Sequence, residues 1–120
     1  MNIERLHGGK RMSEVAIHDH TVYLAGQITE DAMLDITGQT NSVLAQIDRL
    51  LAEAGSDKHH ILRCQIFLSD IAHFDGMNLA WDAWVSSENA PPRATVEARL
   101  AKPEWLVEMV VTAAQIRGKA

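Results

Sequence analysis

Residues 105–115 constrain this chain more than any other stretch. They read Trp-Leu-Val-Glu-Met-Val-Val-Thr-Ala-Ala-Gln, and before Gln115 only Glu108 and Thr112 interrupt the apolar run. Successive side chains of a strand point to opposite faces. Val107, Met109, Val111 and Ala113 therefore share one face, and Leu106, Val110 and Ala114 share the other. A strand that is apolar on both faces must be covered twice. Upstream, the chain offers only two amphipathic helical stretches, and two helices cover one face of a sheet. The second face is expected to be buried against other copies of the chain, since an exposed apolar patch of this kind marks an interface.

The helices and the remaining strands follow from periodicity. Residues 39–54 form the clearest helix: Val43, Ile47, Leu50 and Ala54 recur at helical spacing, flanked by Leu44 and Leu51. Gly55 stands where a helix-ending glycine belongs, and Asp35 or Thr37 can cap the start. A second helix is predicted over 71–85, capped by Ser69 or Asp70, with Ile71, Phe74, Met77 or Asn78, Trp81 and Trp84 or Val85 on its apolar stripe. Strands are predicted over 3–6, 14–18, 21–28, 60–68, 93–100 and 105–115. In the third of these Val22, Leu24 and Ile28 share a face; in the fourth Leu62, Cys64, Ile66 and Leu68 do. Residues 7–10 are expected to be a loop, and His18-Asp19-His20 and Lys102-Pro103-Glu104 turns. The order is β-β-β-α-β-α-β-β, an α+β chain built on one sheet with two helices on one side.

Composition narrows the function classes. A chain of 120 residues without an internal linker is read as a single domain over 1–120. Sixteen acidic against eleven basic residues give a formal charge of -5, the reverse of what a general nucleic-acid binder needs. No stretch nears the roughly 20 apolar residues of a membrane helix, and the N-terminus lacks a signal-peptide core, so a cytoplasmic protein with neither membrane nor nucleic-acid partners is expected. The one cysteine, Cys64, alternates with core positions and reads as structural. A domain this small seldom encloses a deep pocket of its own as well as a core.

Candidate chemistry is sparse. On the predicted register Arg93, Thr95, Glu97 and Arg99 oppose Ala94, Val96, Ala98 and Leu100, which places Arg93 and Glu108 on the same open face near the starts of consecutive strands. Arginine offers a planar fork for a carboxylate or phosphate, and a desolvated glutamate can act as a base on water. The competing reading is a cross-strand ion pair that only satisfies two charges. His18 with His20 and His59 with His60 fall at predicted turns without further ligands, so no metal is expected. The Gly8-Gly9-Lys10 segment lacks the spacing of a phosphate loop and reads as a flexible loop that can line a site. The tryptophans read as core or interface packing.

These residues also carry a resemblance. Val22-Tyr23-Leu24-Ala25-Gly26-Gln27-Ile28 resembles the hydrophobic-small-Gly-Gln-hydrophobic strand of the RidA (YjgF) family, Pro92-Arg93-Ala94-Thr95-Val96-Glu97 its Pro-Arg signature strand, and Leu106-Val107-Glu108-Met109-Val110 its final strand. Ile66-Phe67-Leu68-Ser69-Asp70 with Phe74, Asn78 and Trp81 is similar to its fourth strand and second helix. The resemblance spans nearly the whole chain, as a divergent member. It implies a chorismate-mutase-like (bacillus-type) fold, a single-layer mixed sheet with two helices on one face, and a homotrimer with clefts between subunits. It implies hydrolysis of 2-imino acids or their enamine tautomers to 2-oxo acids and ammonia, as by 2-iminobutanoate/2-iminopropanoate deaminases, with no cofactor. By this likeness Arg93 binds a substrate carboxylate and Glu108 activates water. Gly26 lies beside the site, Ala25, Thr95 and Met12 line it, and Asn78 is architectural.

Several positions depart from the family pattern. Thr95 stands where deaminase members usually carry cysteine, Ala25 where many carry serine, and Val110 where a second glutamate is frequent. Arg11-Met12-Ser13-Glu14 replaces an aromatic Gly-Pro-Tyr loop. Two alternatives stay open at this point: a non-catalytic protein that binds a small acid, and a hydrolase dedicated to one catabolic pathway.

Overall fold

The computed structural model describes residues 2–117. Its elements are β1 (Glu4–Gly8), β2 (Ser13–His18), β3 (Thr21–Leu24), α1 (Ile36–Glu53), β4 (Ile61–Leu68), α2 (Phe74–Trp84), β5 (Arg93–Glu97) and β6 (Val107–Ala114). The six strands form one sheet in the order β1-β2-β3-β6-β4-β5. Only β4 and β5 run parallel, joined through α2; every other neighbouring pair is antiparallel. This is the α+β chorismate-mutase-like arrangement, with both helices on one face of a mixed sheet.

Local chemistry sets most boundaries. The β2–β3 hairpin closes through Asp19 and His20, both with positive φ (51° and 65°), between paired His18 and Thr21. Two left-handed residues in a two-residue loop match the twist of the strands they join. Helix α1 starts at Ile36, ahead of the expected Gln39, because Asp35 accepts a hydrogen bond from the Gly38 amide at 2.8 Å. Gly55 (φ 79°) ends it. The predicted second helix divides into a 3-10 turn, Ile71–His73, capped by Asp70, followed by α2. β1 runs past its expected end, through His7 to Gly8.

The core fills the space between the sheet and the helices. Val43, Leu44, Ile47, Leu50 and Leu51 of α1 and Met77, Ala80 and Trp81 of α2 meet Val15, Val22, Leu24, Ile66, Leu68, Val107, Met109 and Val111. The helices cross closely at Gly76, where a Cβ would lie 2.6 Å from Ile36 Cγ2. Thr37 Oγ1 donates to Gly76 O there at 2.8 Å, and Trp84 Nε1 donates to Asp48 Oδ2 at 2.9 Å. Fully buried Gln39 ties two loops together: its amide donates to Leu34 O and Glu104 O, and its Oε1 accepts from Leu106 N.

β6 divides its faces as its alternation predicts. Val107, Met109, Val111 and Ala113 are buried under the helices, while Glu108, Val110, Thr112 and Ala114 lie half-buried on the open face. Three strand expectations need correction. In β4 the ladder slips between Ile61 and Arg63, so Ile61 turns into the core and Leu62 outward, half exposed. In the third strand, Tyr23 pairs with Thr112 but Gln27 with Met109, so an extra residue bulges out between them. The alternation shifts there, and Gln27 is buried in place of Ile28.

The third correction bears on function. Arg93 pairs with Cys64 and Thr95 with Ile66, and both partners are fully buried under the helices. Residues paired across adjacent strands share a face. Arg93 and Thr95 therefore face α2, and Ala94 and Val96 point to the open side, the reverse of the expected register. The alternation of small residues in β5 carried little information. Its parallel pairing with β4 decided the face. β5 also ends at Glu97 rather than at 100.

Candidate active site

Arg93 begins β5 directly after Pro91-Pro92, whose fixed φ values deliver the chain extended. Pro92 O accepts from Cys64 N at 3.0 Å and opens the parallel ladder. The guanidinium then meets α2. One Nη donates to Asn78 Oδ1 at 2.7 Å, and the group lies 5.0 Å from the Trp81 ring centroid and 5.7 Å from that of Phe74. A hydrogen bond to a charged group contributes about 1.5–3 kcal/mol, and stacking on each ring about 0.5–2 kcal/mol. Phe74, Asn78 and Trp81 lie at i, i+4 and i+7 on one face of α2, so a single helix face fixes the fork. One Nη is taken by Asn78, which leaves further N–H donors for an anion. Two residues on, the Thr95 hydroxyl is buried without a hydrogen-bond partner.

Glu108 stands on the other side of the sheet. It pairs with Phe67, three residues along β4 from Cys64, and an odd step along a strand reverses the face. Its carboxylate lies over Gly26, where a Cβ would come within 2.1 Å of Oε2. The bulge around Ala25 and Gly26 makes this approach. Ala25 N donates to Glu14 O at 2.8 Å, Gln27 N to Met109 O at 2.8 Å, and Gln27 Nε2 to Ala25 O at 3.0 Å. The neighbouring β1–β2 loop is pinned by Gly9 N donating to Met12 O, and Met12 itself is half exposed. A recess of about 230 Å³ opens beside Glu108, lined by Phe67, Ala98, Arg99, Leu100 and Ala101.

The residues picked out in the sequence thus fall into two groups, one on each face of the sheet. Glu108, Gly26 and Ala25 belong to the open face, with Met12 in the β1–β2 loop; Arg93 and Thr95 belong to the α2 side. No Arg93–Glu108 ion pair exists within the chain, because the sheet lies between them. Sequence reasoning missed the grip of Asn78, Phe74 and Trp81 on Arg93. Their i, i+4, i+7 spacing was visible, but it reads equally well as core. Cys64 is inert here: burial pushes its thiol up to about 12, against the opposing pull of the Arg93 guanidinium. His20 lies against Gln115 and His60 against Asp57, and among the described residues no three His, Cys, Asp or Glu side chains converge on a metal-sized point.

Over residues 3–115 the chain matches the family described as "Endoribonuclease L-PSP". The chain belongs to the RidA/YjgF/L-PSP family. It is 48% identical over 112 residues to a RutC family protein of Haemophilus ducreyi, covering 93% of this chain and 96% of that one. It is 45% identical over 114 residues to the RutC family protein YoaB of Escherichia coli, covering 95% and 99%. The crystal structure of a YjgF family member from Neisseria meningitidis superposes with a TM-score of 0.95 at 44% identity, over 98% of each chain. A family member from Mycobacterium tuberculosis, 22% identical, shares the fold with a TM-score of 0.82 over 94% of this chain and 99% of that one. Among the described residues no helix is long and apolar enough to cross a membrane.

Proposed function

We propose that this chain hydrolyses 2-imino acids, or their enamine tautomers, to 2-oxo acids and ammonia in clefts between the subunits of a homotrimer. The observation that carries the reading is the placement of Arg93 and Glu108 on opposite faces of one sheet, Arg93 gripped by Asn78, Phe74 and Trp81 and Glu108 lying over Gly26. One chain cannot bring them to one substrate, whereas the Arg93 side of one subunit set against the open face of the next can. The half-buried apolar surface of β6 is the face such an assembly would cover.

The chemistry follows from the groups available. The free N–H donors of Arg93 bind the substrate carboxylate, and the Asn78 bond with the two rings holds the fork in place. Glu108 accepts a proton from a water as its oxygen bonds to the imine carbon. The C=N π electrons move to nitrogen, which takes that proton from Glu108. The carbinolamine then collapses to C=O: its hydroxyl proton passes to Glu108 and on to the amine nitrogen as the C–N bond breaks, which releases ammonia and leaves Glu108 ionised. Gly26 leaves the carboxylate room to approach.

The test is Arg93→Ala. An amino-acid oxidase supplies 2-iminopropanoate from alanine, semicarbazide traps what remains of it, and light scattering monitors the oligomer. Loss of the carboxylate anchor is expected to lower kcat/KM by about 100-fold, the usual cost of misplacing a substrate, with the oligomer intact. Unchanged turnover in the variant rejects the reading. Binding of the acid without ammonia release by the unaltered protein does so too, in favour of a non-catalytic binding protein.

A further inference from the structure

We infer that the recess beside Glu108 selects imino acids with a second carboxylate, and that Arg99 is the residue that binds it. This selectivity rests on the imine-hydrolase reading above and deepens it by naming the substrate class.

The recess is small and unevenly lined. Its volume of about 230 Å³ falls below the range of about 300–1,000 Å³ that suits drug-sized ligands, and so fits a metabolite. Phe67, Leu100, Ala98 and Ala101 offer apolar wall to a short methylene chain. Glu108 and Arg99 are the two charged lining residues. They do not pair with each other, since no Arg99–carboxylate contact within 4.0 Å occurs among the described residues. The carboxylate nearest in sequence, Glu97, is engaged elsewhere, its Oε1 accepting from Ile71 N at 2.9 Å. Arg99 also follows an anchored backbone, for Ala98 N donates to Leu68 O at 2.9 Å.

Arg99, an exposed residue, and Glu108 thus line the same recess together with apolar side chains, and the Arg99 guanidinium is in no ion pair among the described residues. A guanidinium in a recess binds a carboxylate through charge-assisted, often bidentate hydrogen bonds. The substrate's α-carboxylate is already assigned to Arg93. The anion for Arg99 is a second carboxylate at the far end of the side chain. A protein with a formal charge of -5 repels a dianionic substrate at long range, so recognition of one needs a local cation. The substrate class is the 2-imino dicarboxylic acids with one or two methylenes, and the products are the corresponding 2-oxo dicarboxylic acids and ammonia.

The test compares imines generated in place from D-aspartate or D-glutamate by a D-aspartate oxidase with the imine generated from D-alanine by a D-amino-acid oxidase. The unaltered protein is expected to show a kcat/KM at least tenfold higher for a dicarboxylic imine. Arg99→Gln should lower that ratio at least tenfold, and Arg99→Lys should keep part of it. Turnover of both imines with no preference, or a preference unmoved in Arg99→Gln, overturns the role of Arg99 and leaves imine hydrolysis standing. Turnover of neither imine overturns both readings. Equal melting temperatures for the three proteins show that the fold is unaffected.

Discussion

Replacing Gly26 by alanine separates folding from chemistry. The added Cβ would lie 2.1 Å from Glu108 Oε2, 3.0 Å from Cδ and 3.3 Å from Cγ, and ordinary contact begins at 3.4 Å. The clash falls on the far end of a flexible side chain, so Glu108 can swing aside while the bulge keeps its hydrogen bonds. Glu108 leaving its preferred rotamer costs about 0.5–1.5 kcal/mol. Loss of a glycine from the unfolded chain offsets this by about 0.4–1 kcal/mol. The net change in stability is within about 1 kcal/mol, a few degrees in Tm for a domain of this size. The carboxylate, however, must retreat by at least 1.3 Å, from 2.1 to 3.4 Å. A displacement near 1 Å at a reacting centre costs about 100-fold in rate. Imine trapping with an amino-acid oxidase should therefore show Gly26→Ala nearly inactive while its thermal melt stays close to the parent's. A variant within threefold of the parent in kcat/KM, with the displaced carboxylate seen in a crystal structure, would refute the role given to Glu108.

Other perturbations report on separate parts of the molecule. Asn78→Ala frees the Arg93 fork without removing its charge and should raise KM about tenfold with a smaller change in kcat; the same KM in the variant would show that the rings alone hold the guanidinium. Gly76→Ala sets a methyl 2.6 Å from Ile36 Cγ2, a branch too close to the backbone to move away, and should destabilise by about 1–3 kcal/mol in urea melts despite alanine's better helix propensity. Cys64 releases its proton from an ordinary 9.0 when unfolded and only near 12 when folded. The folded protein thus holds the extra proton in between, and stability falls as pH rises through that window. Between about pH 8 and about pH 10 the parent should lose about 1 kcal/mol relative to Cys64→Val, and an equal difference at both pH values would contradict the buried-thiol assignment.

Much of this architecture is legible in the chain alone. The α1 stripe, its Asp35 cap and Gly55 stop, the Asp19-His20 turn and the two-faced apolar pattern of residues 107–114 depend on interactions within a few residues, where spacing maps directly onto geometry. Gly26 and Glu108 were also identifiable, through their motif strands. The bulges at Leu62 and around Ala25 and Gly26 were not, because an inserted residue leaves no local mark and shows only when a partner strand fixes the register. That is why Ile28 was expected inside and Gln27 was found there.

The face taken by Arg93 is the clearest case. Residues 93–97 alternate polar and apolar side chains, and hydrophobicity would turn Ala94 and Val96 inward, the reverse of what the structure shows. The choice came from the parallel ladder with β4, which places Arg93 beside Cys64, and from α2, which supplies Asn78 and two aromatic rings to a cation that would otherwise be poorly solvated. The residue pattern alone marked Arg93 and Glu108 as candidates and set the two-faced apolar alternation of β6. That Arg93 and Glu108 stand on opposite faces came from the pairing of β4 with β5 and β6, since strand register, not composition, sets where a side chain points.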